Sequence, residues 1–489
     1  MEFSLISSLK EMTKRRVAVS LWNHDDIVTL IKTGRFHSFL YSDKFQKGDI
    51  LYDRIIGKVE KLLLPTTLED ALKETIHPIG FEILKFNNFQ EKYLGEDNHF
   101  FDNEIKIHWT YQGTIDKVRT AMSFVKDDKI DCTLRYKIAC IYCLEDDIPI
   151  LWEKMSEDDK KILFRADSMA PYRVLIYFWG SEMKNELFDL HELRTRNENI
   201  YVDAMEYVAY SGNVAATQYF FQKLSDEEKS KEELKLTKSI VKRVEFSKEY
   251  YFEVLHFLLL QMSEINQLKV LQTSSYDLLC CFLEWPLQPY FNDLAGLLWS
   301  YLAPTDFEDL LWHIAIRSMQ QKGAGCDFQS FFSRLWLDSP LHFKKYIISQ
   351  EQWQHLVCHL YETGDTGSAN LLLEMATAEQ VERFITGNLG LHLSYSLSWS
   401  KKFYCIAACL AACITSEKIG ETLKENFKTF LAATIDQKLS QAGKKSWEQF
   451  FTLLDAKISA LSCKNSAAKR ENEDKNNRNA KKLSKENTC

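Results

Sequence analysis

An all-α fold built as a helical-repeat solenoid is what this sequence predicts, and three observations carry the prediction. The 489 residues include 17 Gly and 8 Pro, about 5% together where average usage is about 12%. Turn-makers for hairpins, Gly-rich phosphate loops and many short strands are therefore scarce. Hydrophobic residues are 45% and aromatic residues 13% of the chain, enough bulk for large cores. From about residue 130 onward apolar helical patterns succeed one another, and their ends repeat: LWEKMSEDDK at Leu151–Lys160, FFQKLSDEEK at Phe220–Lys229 and LLLEMATAEQ at Leu371–Gln380.

Residues 1–125 differ from the rest of the chain. Short apolar patches (VAVSLW, IVTLI, FHSFLY, IIGKVEKLLL) are broken by His, Gly and Pro, which predicts an irregular, mostly helical N-terminal region. Thr67 stands where a cap would open a helix over ALKETI, and the aromatic-rich stretch Phe81–Phe101 has no clear period. The opening MEFSLISSLKEMTKRR places charges ahead of any long apolar run, so no secretory leader is expected.

Residues 126–462 read as the repeat array. In the trio, Ser156/Asp159, Ser225/Glu228 and Thr377/Gln380 sit three apart. At that spacing a hydroxyl and a carboxylate or amide satisfy each other's exposed N–H groups at a helix start. Anchoring on the apolar residue before these caps picks out Met155, Leu224, Met262, Leu302, Leu335, Met375, Ile414 and Leu454, at steps of 69, 38, 40, 33, 40, 39 and 40. Thr305/Glu308, just after Leu302, reads as a further cap. The stretch FYCIAACLAACI at Phe403–Ile414 has 12 residues, against about 20 for a membrane span, and is expected to be a buried helix. Its Cys405, Cys409 and Cys413 with Ala407, Ala408, Ala411 and Ala412 make a small-residue stripe suited to close helix approach.

Periods near 33 to 47 residues belong to ankyrin, tetratricopeptide and HEAT or armadillo arrays. Asp203-Ala-Met-Glu-Tyr-Val-Ala-Tyr-Ser-Gly-Asn213, followed by VAATQYFFQKL, resembles the ankyrin-repeat family, through Ala209, Gly212, Asn213, Phe220, Phe221 and Leu224. Weaker echoes lie at 138–155 and 356–375. The Thr-Pro-Leu-His turn of that family is absent, and the units here run longer. The resemblance implies stacked helical units whose connecting turns contact other proteins.

Chemistry-bearing motifs are few. His355-Leu-Val-Cys-His359 sets two imidazoles at i, i+4, with Cys358 between them. That spacing suits a helical zinc site, but the glutamate needed for hydrolysis and an evident third ligand are missing. Cys140 and Cys143 form a C-x-x-C pair without the second close pair a zinc site wants. The 12 Cys of the chain are expected to be reduced thiols in cores. No Walker loop, dinucleotide fingerprint or nucleophile elbow occurs, so no catalytic residue, cofactor or small-molecule substrate is assigned. The functional expectation is a non-enzymatic scaffold or adaptor that binds other proteins. Its contacts are expected at the turns carrying Glu145, Asp147, Gly212, Asn213, Gly364 and Asp365. The alternatives are a metal-dependent protein centred on His355, Cys358 and His359, and a nuclear adaptor.

The tail, residues 463–489, carries eight Lys/Arg against four Asp/Glu and almost no apolar residues, the composition of a disordered segment. Lys469-Arg470 and Lys481-Lys482-Leu-Ser-Lys485 have the spacing of a bipartite import signal, which would add the nucleus to a cytoplasmic location. The body before the tail sums to −12 within a net charge of −8. That disfavours nucleic acid and favours a basic protein partner; no membrane association is expected.

Overall fold

The computed structural model describes residues 9–32, 50–94, 107–164, 173–186, 199–244, 252–320, 328–434 and 446–463. Among the described residues the regular structure is helical, as expected. One isolated antiparallel bridge joins Trp109 to Ile115. No described helix is long and apolar enough to cross a membrane. The helices fall into two units, those up to Leu302 and those from Ala303 on.

The first unit opens with α1 (Leu9–Trp22), α2 (Asp25–Lys32), α3 (Ile50–Glu60) and α4 (Thr66–Leu94). α1 lies along α4, where the Trp22 indole donates to Ile76 O at 2.9 Å. The expected cap at Thr67 falls inside the first turn of α4 instead. Pro65 precedes the helix, and its carbonyl accepts from Leu68 N and Glu69 N. Then come α5 (Lys117–Val125), α6 (Cys132–Ile141), α7 (Asp147–Lys154), α8 (Glu157–Leu163) and α9 (Arg173–Lys184). Asp116 and Asp131 cap α5 and α6 by accepting from Arg119 N and Leu134 N. The unit continues with α10 (Ile200–Tyr210), α11 (Val214–Gln222), α12 (Asp226–Val244), α13 (Phe252–Gln261), α14 (Glu264–Thr273), α15 (Ser275–Phe282) and α16 (Phe291–Leu298).

The second unit holds α17 (Pro304–Gln320), α18 (Phe328–Asp338), α19 (Leu341–Ser349), α20 (Trp353–Thr363), α21 (Thr366–Met375), α22 (Ala378–Thr386), α23 (Asn388–Trp399), α24 (Phe403–Cys413), α25 (Glu417–Thr434) and α26 (446–463). Here the packing has a period of three helices: α17 meets α20, α18 meets α21, α20 meets α23, α21 meets α24 and α22 meets α25. In two of the three sets equivalent helices start 37 to 39 residues apart, at Phe328, Thr366 and Phe403 and at Leu341, Ala378 and Glu417, while α17, α20 and α23 start at Pro304, Trp353 and Asn388, 49 and 35 apart.

Neighbouring modules are also joined by amide bonds. The last carbonyls of a helix have no partner within it, and a side chain from the next module supplies one. Gln380 Nε2 donates to Ile348 O at 3.1 Å, and Asn426 Nδ2 to Thr386 O at 3.0 Å.

Two expectations shift in register. Leu335 and Leu454 are buried, but they lie inside α18 and α26 rather than at helix ends. A core leucine serves mid-helix as well as at an end, so the anchor pattern slips there. α17 starts at Pro304, so Thr305 stands in its first turn, and Asp306 Oδ2 takes the bond from Ala303 N at 3.3 Å. The expected buried helix is α24, with Cys405, Cys409 and Cys413 on its covered side. The small-residue stripe divides: Ala407 and Ala411 face solvent.

Candidate interaction surface

Several helix ends share one backbone solution. Cys143, Asn185, Gly212, Gly364 and Lys401 have φ of 50°, 55°, 75°, 94° and 58°. The N–H of the residue after each bonds the carbonyl five back: Leu144 to Ala139, Glu186 to Ser181, Asn213 to Val208, Asp365 to Leu360 and Lys402 to Leu397, at 2.8–3.0 Å. This is the Schellman ending, in which a left-handed residue turns the chain and satisfies orphan carbonyls. Glycine announces it at two of these places. At Asn185 the asparagine is itself a local signal, since Asn tolerates the left-handed region; Cys143 and Lys401 carry none.

The turns named from sequence are mostly interior. Gly212 is buried and Asn213 is 3% exposed. Asn213 Oδ1 accepts from Ala216 N at 3.1 Å, capping α11, while its Nδ2 donates to Ile141 O, at the end of α6, at 2.7 Å. Asp365 is 4% exposed and caps α21 through Ser368 N at 3.0 Å. A Cβ on Gly364 would sit 2.4 Å from the Tyr404 hydroxyl. Gly364→Ala forces alanine into a left-handed backbone, while the exposed Tyr404 ring can swing aside, and it is expected to destabilise the chain by about 1–2 kcal/mol. Urea denaturation of the variant checks this, and a loss below about 0.5 kcal/mol would refute it. Glu145 does reach solvent, pairing with Lys223 at 3.5 Å, and Asp147 is the half-buried first residue of α7. Lys469, Arg470, Lys481, Lys482 and Lys485 lie outside the described residues.

What the first unit does expose is a set of acidic helix starts. Ser156, Ser225 and Ser263 cap α8, α12 and α14 through Asp159 N, Glu228 N and Asn266 N. First turns carry Glu157, Asp158 and Asp159, then Asp226, Glu227 and Glu228, then Glu264. Ser225 and Glu228 bond reciprocally, Ser225 N to Glu228 Oε2 at 2.9 Å, and Thr377 and Gln380 do the same in α22. Asp159 is one methylene shorter and takes the Ser156 hydroxyl instead, at 2.6 Å. Bonds from the Asn199 side chain and from Ser225 hold the Glu228 carboxyl below its ordinary pKa. Residues 1–302 hold 48 Asp/Glu against 38 Lys/Arg, a net of −10, so nearly all of the body's excess charge belongs to this unit.

A metal site finds little support on α20. His359 Nε2 lies 3.4 Å from Ala315 O, its ring is 5.8 Å from that of Trp312, and burial pushes the Cys358 thiol up to about 12. Among the described residues no group of three or more His, Cys, Asp or Glu is placed to hold a metal ion. Burial likewise raises Cys143 to about 12 and Cys140 well above the usual thiol value, so both are packing residues rather than ready nucleophiles. An open cleft of about 510 Å³ is lined by Arg16, Val19, Ser20, Asn23, His24 and Asp25, and the His24 imidazole there pairs through Nδ1 with Asp26 at 2.7 Å.

No family model and no curated protein matches this sequence.

Proposed function

We propose that the chain is a non-enzymatic scaffold, a helical-repeat array of degenerate ankyrin-like character that binds other proteins. The observation that carries this reading is the recurrence of one module–module contact in the second unit. α18 packs on α21 and α21 on α24, while the amide-to-carbonyl bond runs from α22 to α19 and again from α25 to α22. Each module buries its apolar face against its neighbours, the economy of a repeat array. The acidity of the first unit supports a basic partner, and electrostatic attraction of that kind weakens with salt.

Affinity capture on the full-length chain, followed by identification of what is retained, tests the proposal. Retained proteins are expected to present basic surfaces. Charge reversal at Asp158, Asp226 and Glu227 is expected to lower retention by about tenfold at low salt. Retention that ignores both the reversal and added salt would remove the basic-partner reading. Stoichiometric zinc in the purified protein, lost in His355→Ala/His359→Ala, would turn the proposal toward a metal-dependent protein. Nuclear import through Lys469, Arg470, Lys481, Lys482 and Lys485 is a separate proposal. A reporter fused to residues 463–489 is expected in the nucleus, and exclusion from it would refute import.

A further inference from the structure

Three large aliphatic side chains are exposed within nine residues around the corner between α13 and α14: Leu260 at 52%, Ile265 at 69% and Leu268 at 40%. Leu260 lies in the last turn of α13. Ile265 and Leu268 stand at i, i+3 on α14, whose other side buries Asn266, Val270 and Leu271. Side-chain bonds hold the junction. Gln267 Nε2 donates to Leu259 O at 3.0 Å and Met262 O at 3.4 Å, closing the end of α13 against the start of α14. Asn266 Nδ2 donates to Glu233 Oε1 at 3.0 Å and Ser230 O at 3.3 Å. That seats α14 against the opening turns of α12, where Asp226 and Glu227 are exposed.

Exposed carboxylates border the corner: Glu264 opens α14, and Asp226 and Glu227 open α12. α12 also carries Lys229, paired with Asp226 at 3.6 Å, and Lys269 bonds Asn266 Oδ1 at 3.3 Å, within a first unit whose net charge is −10. Resting on the scaffold reading, we propose that the α13–α14 corner is the docking site for a basic amphipathic helix of a partner protein. A helix presenting apolar side chains at i, i+3, i+4 and i+7 covers such a stripe, and Lys or Arg along its flanks meets the carboxylates. Other occupants fit less well. A second copy would set acid against acid. The chain's own basic tail, residues 464–489, offers Leu483 as its one large aliphatic side chain, too little for three exposed positions.

The test uses the full-length chain and a fluorescent helical peptide of Leu and Lys at that spacing, with a matched Leu/Glu peptide as control. The Lys peptide is expected to bind, and the Glu peptide to bind at least about tenfold more weakly. Ile265→Ser/Leu268→Ser leaves the charge unchanged and is expected to weaken Lys-peptide binding by about tenfold or more, with the helical circular dichroism retained. Leu260→Ser, on the other helix, provides the same reading if the double variant fails to fold. Lys-peptide binding that survives these serine changes would overturn the docking site while leaving an acidic scaffold intact. Equal binding of the Glu peptide, or no Lys-peptide binding up to about 1 mM, would overturn it as well.

Discussion

Asn213→Ala is expected to lower the unfolding free energy by about 2–4 kcal/mol, read from urea denaturation. Two bonds disappear together. The cap to Ala216 N contributes about 1 kcal/mol in typical helices. The bond from Nδ2 to Ile141 O leaves a buried carbonyl without its partner, which costs about 1–3 kcal/mol. Asn213→Ser keeps a cap oxygen and loses the bridge, so it should recover roughly the cap's share. Asn213→Asp keeps the cap but turns a carboxylate toward the Ile141 carbonyl, and is expected to be at least as harmful as alanine. A loss below about 1 kcal/mol for Asn213→Ala would show that the bridge between α11 and α6 does not hold these helices together.

Acid should weaken the fold through His77 over a defined window. Burial pushes this imidazole down to about 4, and its ring stacks on Phe81 at 6.2 Å. Its ordinary value is about 6.5. Between the two, the unfolded chain takes up a proton that the folded chain refuses. The stabilising share of neutral His77 is therefore complete above about pH 6.5, falls as the pH drops, and levels off below about 4, a change of up to about 3 kcal/mol. Glu82, further along α4, works the other way, because burial raises its carboxyl and the folded state binds that proton more readily. The clean observable is the difference in stability between wild type and His77→Phe, measured from pH 7.5 to about pH 4. It should shrink steadily across the window. A difference independent of pH would mean that His77 keeps its ordinary pKa in the folded chain.

Helices and their starts were largely legible in sequence because they are local. Ser225/Glu228 and Thr377/Gln380 cap as their spacing implies, since both partners of the bond lie within one turn. The burial of α24 followed from its unbroken apolar run. Turns were less legible. Cys143 and Lys401 enter the left-handed region without glycine or asparagine, because the tertiary frame imposes a strain that the residue type does not announce. Helix ends were blurred where a core leucine served as the marker, as at Leu335. Long-range bonds were not legible at all. Gln380 to Ile348 O and Asn426 to Thr386 O join residues 32 and 40 apart, and which orphan carbonyl meets which amide depends on how the helices stack.

The same division runs through the candidate surface. Sequence alone determined that the protein is helical, that its charge is acidic in the body and basic in the tail, and where α8, α12 and α22 begin. These properties follow from composition and from contacts within a turn. Tertiary structure decided which side chains remain available. It drew Asn213 and Asp365 inside as caps, because a buried helix end must have its polar groups satisfied. It left Leu260, Ile265 and Leu268 outside, because α14 meets its neighbours through its opposite side.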